Sequence, residues 1–274
     1  MKEYLENVRC VAPLIHNITN YVTANDVANV LLACGASPIM ADEEAEVEEI
    51  TAHCMGLNLN LGTLNQKKIP AMQKAGKMAN KLGHVVVLDP VGVGASSFRK
   101  QTAEQLLKEV RFDAGNISEI KTLASLCGTQ EKNSGNMAVS DTMDVEKITD
   151  KSDHCGKITG IDGSGRGVDA DNADTVTEEN LAQHISNAKM LSKKLQTIVA
   201  ITGAIDLVTD GSSCYVIRNG NPQMGHVTGA GCQLSGILTA FLAANPENKL
   251  QAAAAAVCMM GYAGELAAEK SGQS

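Results

Sequence analysis

Val85-Val86-Val87-Leu88-Asp89-Pro90-Val91-Gly92-Val93-Gly94 is the stretch that decides the fold. Its apolar run, rich in valine, reads as a strand covered on both faces, the kind that a parallel sheet uses. The run stops at Asp-Pro, Pro90 turns the chain, and alternating glycines follow. In an open parallel sheet, ligands bind beyond the C-terminal strand ends. Asp89 therefore stands where a carboxylate holds a metal or a phosphate-bound Mg2+. A loop-capping role is the other reading that this residue leaves open.

Outward from this strand the chain alternates short apolar runs with longer helical patterns. Ser37–Met40, Gly56–Asn60, Val85–Leu88, Ile198–Ile201 and Tyr215–Ile217 read as strands. Ala24–Cys34, Glu43–His53, Lys67–Leu82, Ala103–Val110 and Glu178–Leu195 read as helices, the last with Thr177 as its N-cap. Gly231–Ala244 and Leu250–Ala268 add two more, and the run Ala252–Ala256 marks close helix packing. Pro38 and Pro90 read as strand-end residues. Strands separated by helices predict βαβ units around a parallel sheet, an α/β fold. The polar stretch 127–164 breaks the alternation. It is rich in Gly, Ser, Thr, Asp and Lys without aromatics, and reads as a mobile insertion in a single domain spanning 1–274.

Composition narrows the function classes. The 274 residues carry 23 Lys+Arg against 31 Asp+Glu, a formal net charge of −8, which disfavours nucleic acid and anionic membranes as partners. Aromatics are 3% with no Trp, so base-stacking platforms are not expected. The eight cysteines show no C-x-x-C pair, and several sit inside apolar runs, as in Leu31-Leu32-Ala33-Cys34. The first nine residues carry Lys2, Glu3, Glu6 and Arg9 and no apolar h-region, and no run reaches ~18 apolar residues. A reduced, cytoplasmic protein without a membrane span is the expectation.

Three further motifs point to chemistry. Thr228-Gly229-Ala230-Gly231-Cys232 precedes an apolar helical run. A glycine turn opening a helix aims N–H groups and the positive dipole end at one point, which suits a phosphate. Cys232 falls in the first turn, where a thiol pKa is lowered. A packing turn with a buried Cys fits the same residues. Gly115-Asn116-Ile117-Ser118-Glu119 spaces Asn116 and Glu119 so that a helical turn would bring them to one face. Ala200-Ile201-Thr202-Gly203 ends an apolar strand in a polar side chain. The six histidines are scattered, and none is assigned a role.

Together with Pro13-Leu14-Ile15-His16-Asn17-Ile18-Thr19-Asn20, Gly35-Ala36-Ser37-Pro38-Ile39-Met40, Leu59-Asn60-Leu61-Gly62-Thr63 and Gly165-Arg166-Gly167, these motifs resemble the hydroxyethylthiazole kinases. That family belongs to the ribokinase-like superfamily, so the resemblance implies a three-layer α/β/α fold with a mostly parallel central sheet. It also implies ATP- and Mg2+-dependent phosphorylation of the primary alcohol of 4-methyl-5-(2-hydroxyethyl)thiazole, in thiamin salvage. It further implies a homotrimer with sites between subunits. By the same resemblance Asn20, Met40, Gly62, Thr63 and Gly229 line the thiazole, and Gly229, Ala230 and Gly231 cradle phosphate. Asn116 and Thr202 contact nucleotide, Asp89 and Glu119 organise Mg2+, and Cys232 accepts the substrate proton. Ala114 departs from the pattern, since the family usually carries Arg or Lys before Gly-Asn. The alternatives are a related kinase of the hydroxymethylpyrimidine type, a dehydratase of the same fold, or a catalytically weak protein that binds thiazole or nucleotide.

Overall fold

The computed structural model describes residues 1–117 and 176–272. The insertion 127–164, Glu119 and Gly165-Arg166-Gly167 lie outside the described residues. The strands are β1 (Leu14–Ile18), β2 (Ser37–Met40), β3 (Gly56–Asn60), β4 (Val85–Asp89), β5 (Ala114–Asn116), β6 (Ile198–Ile201), β7 (Asp206–Thr209) and β8 (Cys214–Ile217). They form one sheet in the order β2-β1-β3-β4-β5-β6-β7-β8. Pairing is parallel from β2 through β6 and antiparallel at β6-β7-β8.

Helices cover both faces, as a parallel sheet requires. On one side lie α1 (Lys2–Val11), α2 (Ala24–Cys34), α7 (Ala230–Ala244) and α8 (Lys249–Ser271). On the other lie α3 (Val47–His53), α4 (Lys68–Leu82), α5 (Ser97–Glu109) and α6 (Leu181–Leu195). The two-residue period of β4 divides its side chains between the layers. Val85 and Val87 join the first core and Val86 and Leu88 the second, so Asp89 falls on the α7 side. Among the described residues, one helical stretch, Pro246–Ser271, is long and apolar enough to cross a membrane by length and composition. Here its Ala252–Cys258 segment is buried in the first core.

The strand reading of the sequence holds for all five segments it named, and α2 has the predicted bounds. Four elements were not expected: α1, β1, β5 and β7. β1 carries polar His16 and Asn17, and β5 has only three residues, so neither shows an apolar run. Helix starts shifted where capping decided them. α5 begins at Ser97 because Ser96 Oγ accepts from the Arg99 N–H. α6 begins at Leu181 rather than Glu178, since Thr177 precedes a turn in which its N–H donates to Asn180 Oδ1. α3 begins at Val47, after a turn at 44–46. Pro38 lies inside β2 rather than at its end, which the edge position permits.

The strand order reverses at β1, which pairs with β2 on one side and β3 on the other. The crevice beyond the C-terminal ends of β1 and β3 is therefore the topological switch point. α7 crosses beneath it in close contact with the sheet. A Cβ on Gly56 would stand 2.7 Å from Thr239 Cγ2 and 3.3 Å from Ile15 Cδ1. Gly56→Ala should therefore destabilise the protein by ~1–3 kcal/mol, the usual cost of overpacking. Thr239→Ser deletes the obstructing methyl and keeps the hydroxyl that donates to Ser235 O. The double variant should recover part of the loss in urea unfolding, and additive losses would refute the contact.

Candidate active site

β1, β3 and β4 place Asn17, Asn58, Asn60 and Asp89 on the α7 side, and α7 answers with Cys232, Ser235 and Thr239 at helical spacing. All seven are buried, and among the described residues only Asn58 Oδ1 of their buried side-chain oxygens and nitrogens finds no hydrogen-bond partner. Asn58 Nδ2 donates to Asn17 Oδ1 at 3.1 Å, and Asn17 Nδ2 donates to Ile15 O at 2.9 Å.

Asn60 is the centre of the seam. Its Nδ2 donates to Asp89 Oδ2 at 2.8 Å, and its Oδ1 accepts from the Gly62 N–H at 2.8 Å. A carboxylate on one side and a backbone donor on the other leave this amide a single orientation. Oδ1 also accepts from Asn20 Nδ2 at 3.3 Å. Asn20 Oδ1 is held by the N–H and hydroxyl of Thr23, both at 3.0 Å. Asn20 Nδ2 is thereby aimed at Cys232 Sγ, 3.0 Å away. Gly62 is confined by the same chain of contacts, because a Cβ there would lie 2.7 Å from Asn20 Cβ and 2.9 Å from Asn60 Oδ1.

α7 opens on Gly229 at φ 78, and among the described residues no side chain caps it. A Cβ at Gly229 would collide with Thr23 Cγ2, so the turn requires glycine for both its backbone angle and its room. The first N–H groups of a helix have no acceptor within it. Asn116, at the end of β5, donates from Nδ2 to Gly231 O at 2.9 Å and leaves its buried Oδ1 without a partner among the described residues. Asn116 is the last residue of β5, and Glu119, which the sequence spacing pairs with it, lies outside the described residues. Ala114 is fully buried within the same strand.

Burial pushes the Asp89 carboxyl up to about 7, against the Ser235, Asn60 and Asn116 side chains that favour its ionised form. Ser235 Oγ lies 3.0 Å from Asp89 Oδ2 and 2.8 Å from Cys232 O. The Cys232 thiol is also raised, first by burial and then by the Asp89 charge. The expectation of a lowered thiol pKa is therefore corrected: desolvation outweighs the helix terminus, and the resting group is a thiol.

The structure brings Asn20, Gly62, Asp89 and Cys232 into one connected network. Thr63 joins at its edge, its Oγ1 accepting from the Tyr21 N–H at 3.0 Å, and Asn116 joins Gly231. Met40 at the end of β2 and Thr202 after β6 share the C-terminal side of the sheet without a hydrogen bond to that network among the described residues. Sequence reasoning gave no role to Asn60 or Ser235. The alternating Asn58-Leu59-Asn60 inside an apolar strand was the available signal, since two amides on one buried face need partners. His16 is buried between Thr51 Oγ1 and Ala41 O, each at 2.9 Å. Ala41 O only accepts, so Nε2 carries the proton, and burial keeps the ring neutral.

Residues 5–154 and 148–274 match the sequence profile of the Hydroxyethylthiazole kinase family. A hydroxyethylthiazole kinase of Clostridium acetobutylicum is 53% identical over 97% of this chain and 86% of its own length. One of Desulfovibrio desulfuricans is 40% identical over 97% and 82%. The solved hydroxyethylthiazole kinase protein of Pyrococcus horikoshii OT3 superposes with TM-score 0.74 at 33% identity, covering 98% of this chain and 87% of that one. A ribokinase-like superfamily protein of Enterococcus faecalis, 12% identical with TM-score 0.59, shares the fold over 97% and 82% of the two chains. The protein is a kinase of the ribokinase-like fold. Within that class the chain belongs to the hydroxyethylthiazole kinase family.

Asp89 gives a pH signature in metal-free buffer. Its folded pKa of about 7 exceeds the ordinary 3.8, so between these values the folded protein holds a proton that the unfolded chain has released. Raising the pH across that window should lower stability by up to ~1.4 kcal/mol per unit from this group, and the fall should end above the folded pKa. Asp89→Asn should flatten that component of the Tm profile between pH 5 and 8 in EDTA. Parallel profiles for parent and variant would refute the buried acid.

Proposed function

We propose that the protein phosphorylates the primary alcohol of 4-methyl-5-(2-hydroxyethyl)thiazole with the γ-phosphate of ATP, in thiamin salvage. The observation that carries this reading is the Asn20–Cys232 hydrogen bond set against the uncapped glycine turn of α7. It puts a group able to take a hydroxyl proton beside a cradle for a phosphoryl group. The relatives' printed name supports the acceptor.

The donor set fits Mg2+ and a nucleotide. The Asp89 carboxylate and the unpartnered Oδ1 of Asn116 are hard oxygens at neighbouring strand ends. In this reading Asp89, with Glu119 from outside the described residues, holds the cation, which neutralises developing phosphate charge. Gly229, Ala230 and Gly231 meet the phosphates, Asn116 and Thr202 meet the nucleotide, and Asn20, Met40, Gly62 and Thr63 line the thiazole. Cys232 acts as its thiolate, which the Asn20 N–H stabilises through its hydrogen bond to Sγ; the substrate hydroxyl gives its proton to that sulfur, which returns to the thiol. Phosphoryl transfer is chiefly positioning and charge neutralisation, so a sulfur that rests mostly protonated meets the modest demand for a base through its thiolate form.

The same reading makes the protein a cytoplasmic homotrimer with the thiazole between subunits. β2 is an edge strand, and Tyr21, Val22 and Leu32 are exposed on the adjoining α2 and its approach, each above half. Light scattering at micromolar concentration should give a trimer mass. A fully active monomer would refute the shared site.

The reaction is tested by thiazole-dependent ADP release with Mg2+. Cys232→Ala should lower kcat about tenfold or more, at or below the low end of the ~10²–10⁴ usual for a general base because the transition state is loose. KM for thiazole and for ATP should stay within about twofold. Cys232→Asp should remain above Ala, since a carboxylate can also accept the proton. An Ala variant as active as the parent removes Cys232 from the mechanism, and no ADP release despite thiazole binding makes the chain a binding protein.

A further inference from the structure

Lys68 is among the largest fully buried side chains of the described residues, 1% exposed, and the reaction as derived does not use it. It is the first residue of α4, where the positive helix end disfavours a cation. An ammonium is kept in such a place only when acceptors surround it. Lys68 Nζ donates to Thr19 O at 2.7 Å and lies 3.7 Å from the centroid of the Tyr21 ring and 3.5 Å from Asp42 Oδ2. Tyr21 OH in turn donates to Asp42 Oδ2 at 3.0 Å. Burial lowers the Lys68 pKa, and Asp42 opposes that shift.

Thr19 and Tyr21 are the two neighbours of Asn20. One ammonium therefore grips the peptide before Asn20 by its carbonyl and the residue after it by its ring. The Tyr21 N–H is tied independently to Thr63 Oγ1. Between these fixed points the Asn20 side chain has its Oδ1 taken by Thr23 and its Nδ2 directed at Cys232 Sγ. We propose that Lys68 is a positioning residue, a buried clamp on the β1–α2 loop that sets the Asn20 amide against Cys232. The clamp joins α4, the β1–α2 loop and the β2–α3 loop, and no other buried Lys or Arg does so among the described residues. Its catalytic consequence rests on the kinase reading above, and the clamp itself does not.

The test pairs a substrate-free readout with a kinetic one. Lys68→Met keeps the length and removes the charge and donors. Amide hydrogen exchange, followed by mass spectrometry on the intact assembly, should quicken at least tenfold in the peptide spanning Tyr21 to Thr23. Peptides from β4 to β6 should stay within twofold. With thiazole and ATP, kcat should fall at least fivefold while KM for ATP stays within twofold. Asn20→Ala should lower kcat too, and adding Lys68→Met to it should cost little more, because both act through one amide. Tyr21→Leu removes the ring from an exposed position and serves if the methionine variant does not fold. It should quicken exchange in the same peptide by a smaller factor. Unchanged exchange in that peptide, or a uniform rise across the protein, overturns the clamp. A quickened loop with kcat unchanged, or losses that multiply independently in the double variant, overturns the positioning role. A parent chain that fails to phosphorylate the thiazole, with the exchange pattern as expected, overturns the kinase reading and upholds the clamp.

Discussion

The hydrogen bond from Asn60 Nδ2 to Asp89 Oδ2 is the contact on which the site depends. A buried carboxylate without a donor is untenable, and a buried amide with the wrong end toward it is equally so. The bond therefore fixes Asp89 in place and fixes the orientation of Asn60. That orientation presents Oδ1 to the Gly62 N–H and to Asn20, and Asn20 then presents its N–H to Cys232. Specification runs from a strand end, through two amides, to a sulfur on a helix from the far end of the chain.

Such a seam is stable only because the fold closes over it. β4 supplies apolar side chains to both layers, Val85 and Val87 to one and Val86 and Leu88 to the other, whereas β3 gives Leu57 and Leu59 to the far layer and turns Asn58 and Asn60 to the α7 side. α7 approaches closely because Gly56 lacks a side chain and because Gly229 permits the turn that starts it. Apolar packing further down α7, from Ile237 to Leu242, holds the helix against the sheet. That burial offsets the cost of enclosing Cys232, Ser235 and Thr239. The polar contacts choose the register, and the apolar ones supply most of the attraction.

Much of this was legible in the sequence. The valine run before Asp89 announced a buried parallel strand, and the glycine turn before Cys232 announced a helix start. The motifs quoted around Asn20, Gly62 and Asn116 did fall at strand ends. The missing parts share a physical cause. β1 conceals itself because His16 and Asn17 are polar yet buried, with partners far along the chain that no local pattern reveals, Thr51 and Ala41 for His16 and Asn58 for Asn17. The sulfur chemistry was misjudged for a related reason: the helix terminus is visible in sequence, whereas enclosure under a neighbouring carboxylate is a property of the assembled fold. Lys68 left a faint mark, a cation at the wrong end of a helix.

Asp89 and Cys232 are the two acids of the seam, and each raises the cost of ionising the other. They are separated by neutral donors only: the amides of Asn20 and Asn60 and the hydroxyl of Ser235. This arrangement keeps the network neutral while nothing charged is bound. A cation beside Asp89 would favour its carboxylate form and the thiolate of Cys232, whose sulfur already accepts one hydrogen bond from Asn20. The same residues therefore serve two demands. Neutral, they let α7 pack against the sheet without an unpaired buried charge. Charged in turn, they offer a carboxylate on one side and a proton acceptor on the other, with amides that need not move between the two states.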